Sequence, residues 1–523
     1  MKRLLLVCLW VTLICSACQP APLILAEEEG AESGAATSEQ AGLDSTWLAE
    51  TPEEVLPTLN ASTPTPDPVA FEEISPQIYW ADKLASSSQA FIALAPEDAD
   101  LLARQIAFLG GNGESASNSC GPLTAAILQE AGLLPRCLSN HFLWLLNLRG
   151  EESQIRVLTE YYFPPQAYDY FWHEESIRDY DFTADPLMPG DWMFLFTAGN
   201  GYDHMLVVTR VDADGAVYSV TNFDRGEGFI ISEELLYDPN APGEGLFYEL
   251  TDLVGRRLLG LTGSGGFLLV RRKGGLASVP QWNDRLCEGL TAEADWHIYL
   301  KNLTTDRVLF ENLPNHPFHP ASMIKVPLVM VALDILHQQD IGVADFTEKG
   351  FGGRTFDQLF TATIVQSEEL AAEALWNFIN ANGGAAGLLT EWGIDNTWFE
   401  PRRTTAYDLA AVLEGLYEVE FLQPEYNAYL LDLMRVETES DAEYAGVITG
   451  LLPGAAYANK RGLLVSPVIV SDMGILTYDE QAYLIIIHGS LKADGGARYE
   501  DLQEGVESFA RDVGDLLLED IEF

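Results

Sequence analysis

His319-Pro-Ala-Ser322-Met-Ile-Lys325-Val-Pro-Leu-Val-Met-Val-Ala-Leu-Asp334 is the stretch that decides how the C-terminal half of this 523-residue chain folds. It sets a Ser at the start of a helical pattern from Ala321 and a Lys three residues on, one turn away on the same face. A Ser hydroxyl is a poor nucleophile without a base beside it. A Lys can be that base when burial and nearby positive charge favour its neutral form. The positive end of the helix dipole acts in the same direction and favours an oxyanion near the Ser amide. Taken alone, the spacing equally describes a helix cap and a solvated Lys, so the surrounding sequence has to choose.

Upstream, Trp296 to Leu300 and Val308 to Phe310 read as paired strands around Thr304-Thr-Asp306. Helical patterns run from Ala321 to about Tyr417, and strands return at Gly462-Leu-Leu464, Val468-Ile-Val470 and Ala482 to Ile487. Leu502, Val506, Phe509, Val513, Leu516 and Leu517 then recur at three- and four-residue spacing, an amphipathic helix. That order predicts a sheet whose strands come from both ends of a unit spanning about 280–523.

With its leading aromatic, Phe318-His-Pro-Ala-Ser-Met-Ile-Lys325 resembles the nucleophile motif of the serine β-lactamases and penicillin-binding proteins, closest to the class A pattern. The similarity extends over nearly all of residues 285–523. It implies an antiparallel sheet covered by helices, an all-helical lobe, Ser322 as nucleophile and Lys325 as its base. Ser367-Glu368-Glu369 stands where the family has Ser-Asp-Asn. Ser367 would relay a proton to the leaving nitrogen, whereas Glu369 replaces an amide donor with a carboxylate that cannot donate unless protonated and could instead pair with Lys325. Lys460-Arg461-Gly462-Leu463 stands where the family has Lys-Thr-Gly on an edge strand. The resemblance makes Lys460 the positive group for a substrate carboxylate, Gly462 a point of close ligand approach, and the Leu463 amide a partner of the Ser322 amide in an oxyanion hole. Arg461 replaces a hydroxyl and can hold a carboxylate bidentately. Thr404-Thr-Ala-Tyr-Asp408-Leu-Ala410 matches the helix start that follows the family's deacylating loop, but only Trp398-Phe-Glu400-Pro-Arg-Arg403 precedes it. Glu400 is the candidate deacylation base on a shortened loop.

The composition adds 79 acidic residues against 29 basic ones, a formal charge of −50. Such a surface repels nucleic acid and anionic headgroups. Lys2 and Arg3 precede an apolar run, Leu4 to Ile14, of signal-peptide length. Cys15-Ser-Ala-Cys18 follows and resembles a lipobox in which Cys18 takes the lipid. The expected location is extracytoplasmic, with a membrane anchor at Cys18 or, failing that, plain secretion. No later run is expected to be apolar and long enough to span a bilayer. Residues 19–75 are acidic, then proline-rich, and read as a disordered tether. Of the remaining cysteines, Cys120, Cys137 and Cys287, an odd count leaves at least one thiol over.

Residues of about 76–275 form the other expected unit, helical first and stranded from about Gly190. His204 to Val211 and Ala216 to Asn222 flank Asp212-Ala-Asp-Gly215, a hairpin pattern. Asn118-Ser-Cys120-Gly-Pro-Leu sets a Cys at a helix start, which lowers a thiol's pKa, and Asp203-His204 follows 84 residues later. This arrangement resembles papain-like bacterial cysteine peptidases and cell-wall amidases. It implies Cys120 as nucleophile, His204 as base and Asn222 (or Asp224) as the group orienting the imidazole, with Asn118 or Gln105 as an oxyanion donor.

The expected fold is therefore α+β and multidomain, a papain-like α+β domain followed by a β-lactamase/transpeptidase-like domain. The expected activity is amide or β-lactam bond hydrolysis through acylation of Ser322, on β-lactams or peptidoglycan peptides ending in D-Ala-D-Ala. A penicillin-binding peptidase or transpeptidase with slow deacylation, and a non-catalytic cell-wall binding or sensing lipoprotein, fit the same motifs. No cofactor and no metal is implied, because the His residues are scattered.

Overall fold

Alternation builds the C-terminal sheet. In Tyr483-Leu-Ile-Ile-Ile487, Leu484 and Ile486 belong to one apolar core, and Tyr483, Ile485 and Ile487 belong to another. Successive strand side chains leave on opposite faces, so a strand covered on both sides is apolar throughout. The computed structural model of the protein describes residues 75–106, 115–138, 159–198, 202–224, 226–252, 262–283, 285–440, 445–492 and 496–521. These lie in one compact unit, Pro66–Phe523. The expected leader, Cys18 and the tether as far as residue 74 lie outside the described residues.

The N-terminal part runs α1 (Pro76–Ser88), α2 (Pro96–Ile106), α3 (Cys120–Glu130), β1 (Tyr168–His173), β2 (Trp192–Phe196), β3 (Tyr202–Val207), β4 (Arg210–Val211), β5 (Val217–Asp224), β6 (Phe229–Tyr237), α4 (Leu246–Thr251) and β7 (Phe267–Arg272). Its strands make two sheets, ordered β1-β7-β2-β3 and β4-β5-β6. The expected strand His204 to Val211 is thereby divided. The chain turns a corner at Val208 and Thr209, whose amides bond to Asp191 and Tyr218 respectively, and passes from one sheet to the other. The hairpin across Asp212–Gly215 forms between β4 and β5.

The C-terminal part runs β8 (Ala294–Asn302), β9 (Arg307–Asn312), α5 (Lys325–Gln338), β10 (Gly350–Phe351), β11 (Arg354–Thr355), α6 (Phe356–Ile364), α7 (Glu369–Ala381), α8 (Ala386–Glu391), β12 (Trp398–Phe399), β13 (Arg402–Arg403), α9 (Ala406–Glu418), α10 (Pro424–Ser440), α11 (Ala445–Leu451), β14 (Ala456–Val465), β15 (Val468–Tyr478), β16 (Gln481–Leu491) and α12 (Tyr499–Ile521). The long strands make one antiparallel sheet, β14-β15-β16-β8-β9, which joins strands from both ends of the region. Leu502, Val506, Phe509, Val513 and Leu517 of α12 cover one face. The other face meets the helical lobe around α5.

By length and composition, Ala321–Gln338 is apolar enough to cross a membrane, contrary to the expectation that no segment after the leader would be. It is 78% buried inside the protein, and its apolarity is that of a core helix packed on all sides.

A disulfide, Cys137–Cys287, joins the N-terminal part to the C-terminal one and leaves Cys120 outside the pairing.

Candidate active site

Ser322 lies in a 3₁₀ turn, Ala321–Ile324, that runs directly into α5. Ala321, just before it, takes the left-handed conformation (φ 48°), which costs about 1–2 kcal/mol for a residue other than Gly. The surroundings hold the turn in place. The Ala321 amide donates to His319 Nδ1 at 3.1 Å. Phe318 pairs with Thr404 through two backbone hydrogen bonds, of 2.9 and 3.0 Å. On the other side β14 presses close at Gly462. A Cβ there would lie 2.4 Å from Ser471 Oγ and 3.1 Å from the Pro320 carbonyl oxygen, so this position needs glycine for space.

The Lys325 ammonium is fully buried and at the centre of the site. Its Nζ donates to Ser322 Oγ at 3.1 Å, to the Ser367 carbonyl at 2.7 Å and to Ser367 Oγ at 3.3 Å. Ser367 is also left-handed (φ 54°) at the turn between α6 and α7, which aims both of its oxygens at Lys325. Glu369, the first residue of α7, brings Oε1 to 2.6 Å from Nζ. Burial pushes the Lys325 pKa below the ordinary lysine value. Glu369 opposes that shift, while Lys460 and Arg402 reinforce it. Burial raises the Glu369 pKa, but hydrogen bonds from Arg402 and Lys325 outweigh it and hold the carboxyl at about 2. The Glu369 carboxylate therefore faces Lys325 Nζ at ion-pair distance.

Arg402, absent from the sequence reading, is the other partner of Glu369, at 2.5 and 3.3 Å. It sits on β13 of a short hairpin whose turn is Glu400-Pro401. An Asp408 knot anchors that hairpin: Asp408 accepts from the Asn396 amide and the Thr397 hydroxyl, at 2.7 and 2.8 Å, at the start of α9. A cleft of about 940 Å³ opens over Ser322, with Ser367, Glu369, Glu400, Arg402, Arg461 and Leu463 in its lining. Lys460 does not line it. This lysine is fully buried on β14 and acts on the site through its charge. The cations on the cleft wall are Arg402 and Arg461. Among the described residues, no group of three or more His, Cys, Asp or Glu side chains could hold a metal ion.

The second expected centre is not assembled in the same way. Cys120 opens α3 and shares a core with Met205 and Val207 of β3. Leu206 and Val208 belong to the core on the opposite face, as does Leu195, the strand partner of His204. Alternation thus turns His204 away from Cys120, and no hydrogen bond joins the two. His204 Nε2 is instead 3.0 Å from the Thr221 hydroxyl, and burial lowers its pKa to about 4. Asn222 faces the other way and donates to the Ala116 carbonyl at 2.6 Å, so it does not orient His204. Asp224 accepts from the Gly226 and Gly228 amides in a turn. Gln105 is exposed on α2.

Residues 288–516, the part of the chain that carries Ser322, match the model of the beta-lactamase enzyme family. Among solved structures, PBP-A is similar at 19% identity over 45% of this chain and 93% of its own, with a TM-score of 0.37. TLA-3 extended-spectrum beta-lactamase is similar at 18% identity over 43% of this chain and 94% of its own, with a TM-score of 0.36. A beta-lactamase from Chitinophaga pinensis DSM 2588 is similar at 18% identity over the same shares, with a TM-score of 0.35. A comparison with curated proteins gives no match.

Proposed function

We propose that the C-terminal domain is a serine acyl-transfer enzyme whose Ser322 is acylated by β-lactams or by cell-wall peptides ending in D-Ala-D-Ala. The observation that carries this reading is the buried Lys325 Nζ, set between the Ser322 and Ser367 hydroxyls at 3.1 and 3.3 Å. In its neutral form Lys325 takes the Ser322 proton as Oγ bonds to the substrate carbonyl carbon. The carbonyl–nitrogen bond then breaks, and the leaving nitrogen takes a proton from Ser367 Oγ. Lys325 returns its proton to Ser367, which leaves an ester on Ser322 and every other group as it began.

Penicillin-binding behaviour, with slow release of the acyl group, is favoured over rapid antibiotic hydrolysis. Glu369 holds Lys325 charged at rest, and Glu400, exposed on a two-residue turn, is the sole carboxylate of the cleft lining beyond that pair. We place this activity outside the cytoplasm, where a disulfide such as Cys137–Cys287 persists, with Cys18 as the proposed lipid anchor. The papain-like reading of the N-terminal part has no comparable support. His204 bonds to Thr221 and faces away from Cys120, and we assign no hydrolysis there.

The test is a fluorescent penicillin followed by a denaturing gel and peptide mapping. Label that persists for minutes on Ser322 supports the proposal. Rapid turnover of a chromogenic cephalosporin, with no lasting label, would replace it by a β-lactamase. Absence of both label and turnover would sink acylation altogether.

A further inference from the structure

The two parts of the chain meet on the run of residues that leads into the nucleophile, and the residues that meet there have no place in the hydrolytic motifs. Arg272 ends β7 of the N-terminal part with its side chain only 10% exposed. Its Nη1 donates to Glu311 Oε1 at 2.9 Å and to the Tyr168 hydroxyl at 3.1 Å. Glu311, on β9 of the C-terminal part, is 9% exposed, and its other oxygen accepts from the Tyr407 hydroxyl at 3.0 Å. Tyr407 lies in the first turn of α9, and its amide donates to the Pro314 carbonyl at 3.1 Å. Three residues earlier Thr404 pairs with Phe318. Tyr161 adds an edge-on contact with the His316 ring, at 4.6 Å between centroids. Residues 311–318 are thus gripped by the N-terminal part on one side and by α9 on the other, and they end four residues before Ser322.

A buried ion pair is a weak stabiliser, because desolvation offsets most of the attraction, but it tolerates little change in geometry once formed. A satisfied polar network within a core holds one arrangement for the same reason. The turn that presents Ser322 carries a left-handed Ala321, so it depends on its surroundings to keep its shape. We propose that the N-terminal part is a built-in positioning element for the serine site, with Arg272 acting through Glu311 and Tyr407 on the turn that carries Ser322. The inference rests on the reading of Ser322 as an acylated nucleophile.

The experiment uses the full chain with its disulfide intact. Acylation by fluorescent penicillin is resolved into the concentration for half-maximal rate and the limiting acylation rate constant. Arg272→Met lowers the rate constant about tenfold with little change in that concentration, since displacements on the order of 1 Å at a reacting atom can slow it a hundredfold. Arg272→Lys recovers most of the loss, because both bonds to Glu311 and Tyr168 leave from one nitrogen. Tyr407→Phe removes one hydroxyl, leaves the ion pair and lowers the constant about threefold. Wild-type acylation in Arg272→Met overturns the proposal, as does equal impairment in Arg272→Met and Arg272→Lys. Should Arg272→Met fail to fold, Tyr407→Phe decides, and an unchanged rate constant there overturns it. Should the wild-type chain take no label, acylation fails first. Positioning is then judged by amide hydrogen exchange of residues 311–322, which Arg272→Met must speed relative to Arg272→Lys.

Discussion

Ser322 and Cys120 are both set at the start of a buried helix, one in each part of the chain, but Lys325 meets Ser322 whereas His204 faces away from Cys120. The difference lies in where the partners come from. Lys325 is three residues away in the same turn, so local helical geometry alone delivers its Nζ to Ser322 Oγ. The proposed base for Cys120 has to come from a strand 84 residues later, and strand alternation decides which way it faces. One residue of parity separates His204 from Met205, and it is Met205 that shares a core with Cys120. A nucleophile at a helix start is therefore only half of a site. The other half is set by register, which the spacing of two residues in a sequence does not reveal.

The sharpest way to break this comparison is to remove each nucleophile in turn. Ser322→Ala is expected to lower penicillin labelling by at least about 10⁴-fold, as loss of a nucleophile does in other serine hydrolases. Cys120→Ser is expected to leave labelling of the full chain unchanged. A cysteine-directed electrophile that marked Cys120 rapidly, and only while His204 was intact, would overturn the contrast and restore a second active centre.

Within the serine site, the second-largest effect belongs to Glu369. Glu369→Asn removes the carboxylate that holds Lys325 charged and supplies an amide donor facing the cleft. The expected gain in acylation rate at neutral pH is on the order of a hundredfold, within the range of general-base effects. The sign of the pH dependence follows from the base. Lys325 acts when neutral, so acylation rises as pH passes its pKa, and Glu369 opposes the lowering of that pKa. The asparagine variant should reach its plateau at lower pH than the wild type. Stopped-flow labelling from pH 5 to 9 checks both points, and a slower variant would mean that the carboxylate assists the reaction.

A weaker effect is expected behind Phe318, where burial keeps a set of histidines neutral. His488 is fully buried, neither of its nitrogens has a hydrogen-bond partner, and its ring stacks on Phe318 at 4.1 Å between centroids. Burial first, then the charges of His319 and His316, lowers its pKa to about 3. His316 falls to about 4 through burial and Arg403, and His297 is also lowered, by burial and its two histidine neighbours. A folded pKa below the unfolded value of roughly 6.5 means that stability is complete above pH 6.5. For His488 it is lost as pH falls toward 3, at about 1.4 kcal/mol per pH unit. Between pH 6.5 and 5, His488 alone accounts for a loss of about 2 kcal/mol. His488→Phe should remove that share, seen as a smaller difference between urea midpoints at pH 7 and pH 5. An unchanged difference would mean that His488 does not carry it.

Much of the serine site was legible because its parts are local or lie on strongly patterned elements. Ser322, Lys325, Ser367 and Glu369 meet as their motif order implies, and the sheet follows from apolar runs such as Tyr483 to Ile487. Arg402 was not legible. Its reach to Glu369 depends on a hairpin folded over by the pairing of Thr404 with Phe318, a contact between residues 86 positions apart in sequence. Lys460 reads like a substrate-facing cation, but its side chain is fully buried, and it reaches the site through its charge on Lys325. The pairing of Cys137 with Cys287 could not be chosen from three cysteines. The corner at Val208 was hidden because Val207-Val208-Thr209 has the β-branched composition of an unbroken strand.

The smallest effect falls on the N-terminal side of the comparison and asks whether His204 is a structural residue. Its Nε2 meets the Thr221 hydroxyl at 3.0 Å, and burial has already lowered its pKa to about 4. Thr221→Val keeps the β-branched shape of the side chain and deletes the partner, so a buried ring nitrogen loses its hydrogen bond. Folding stability at pH 7 should fall by about 1 kcal/mol, measured as a lower urea midpoint with an unchanged slope. Penicillin labelling of Ser322 and reactivity of Cys120 should both remain at wild-type levels. A change in thiol reactivity would show that the Thr221–His204 contact reaches Cys120 after all. In that event the imidazole is oriented by Thr221, one residue from the Asn222 that motif order singled out and on the opposite face of the same strand.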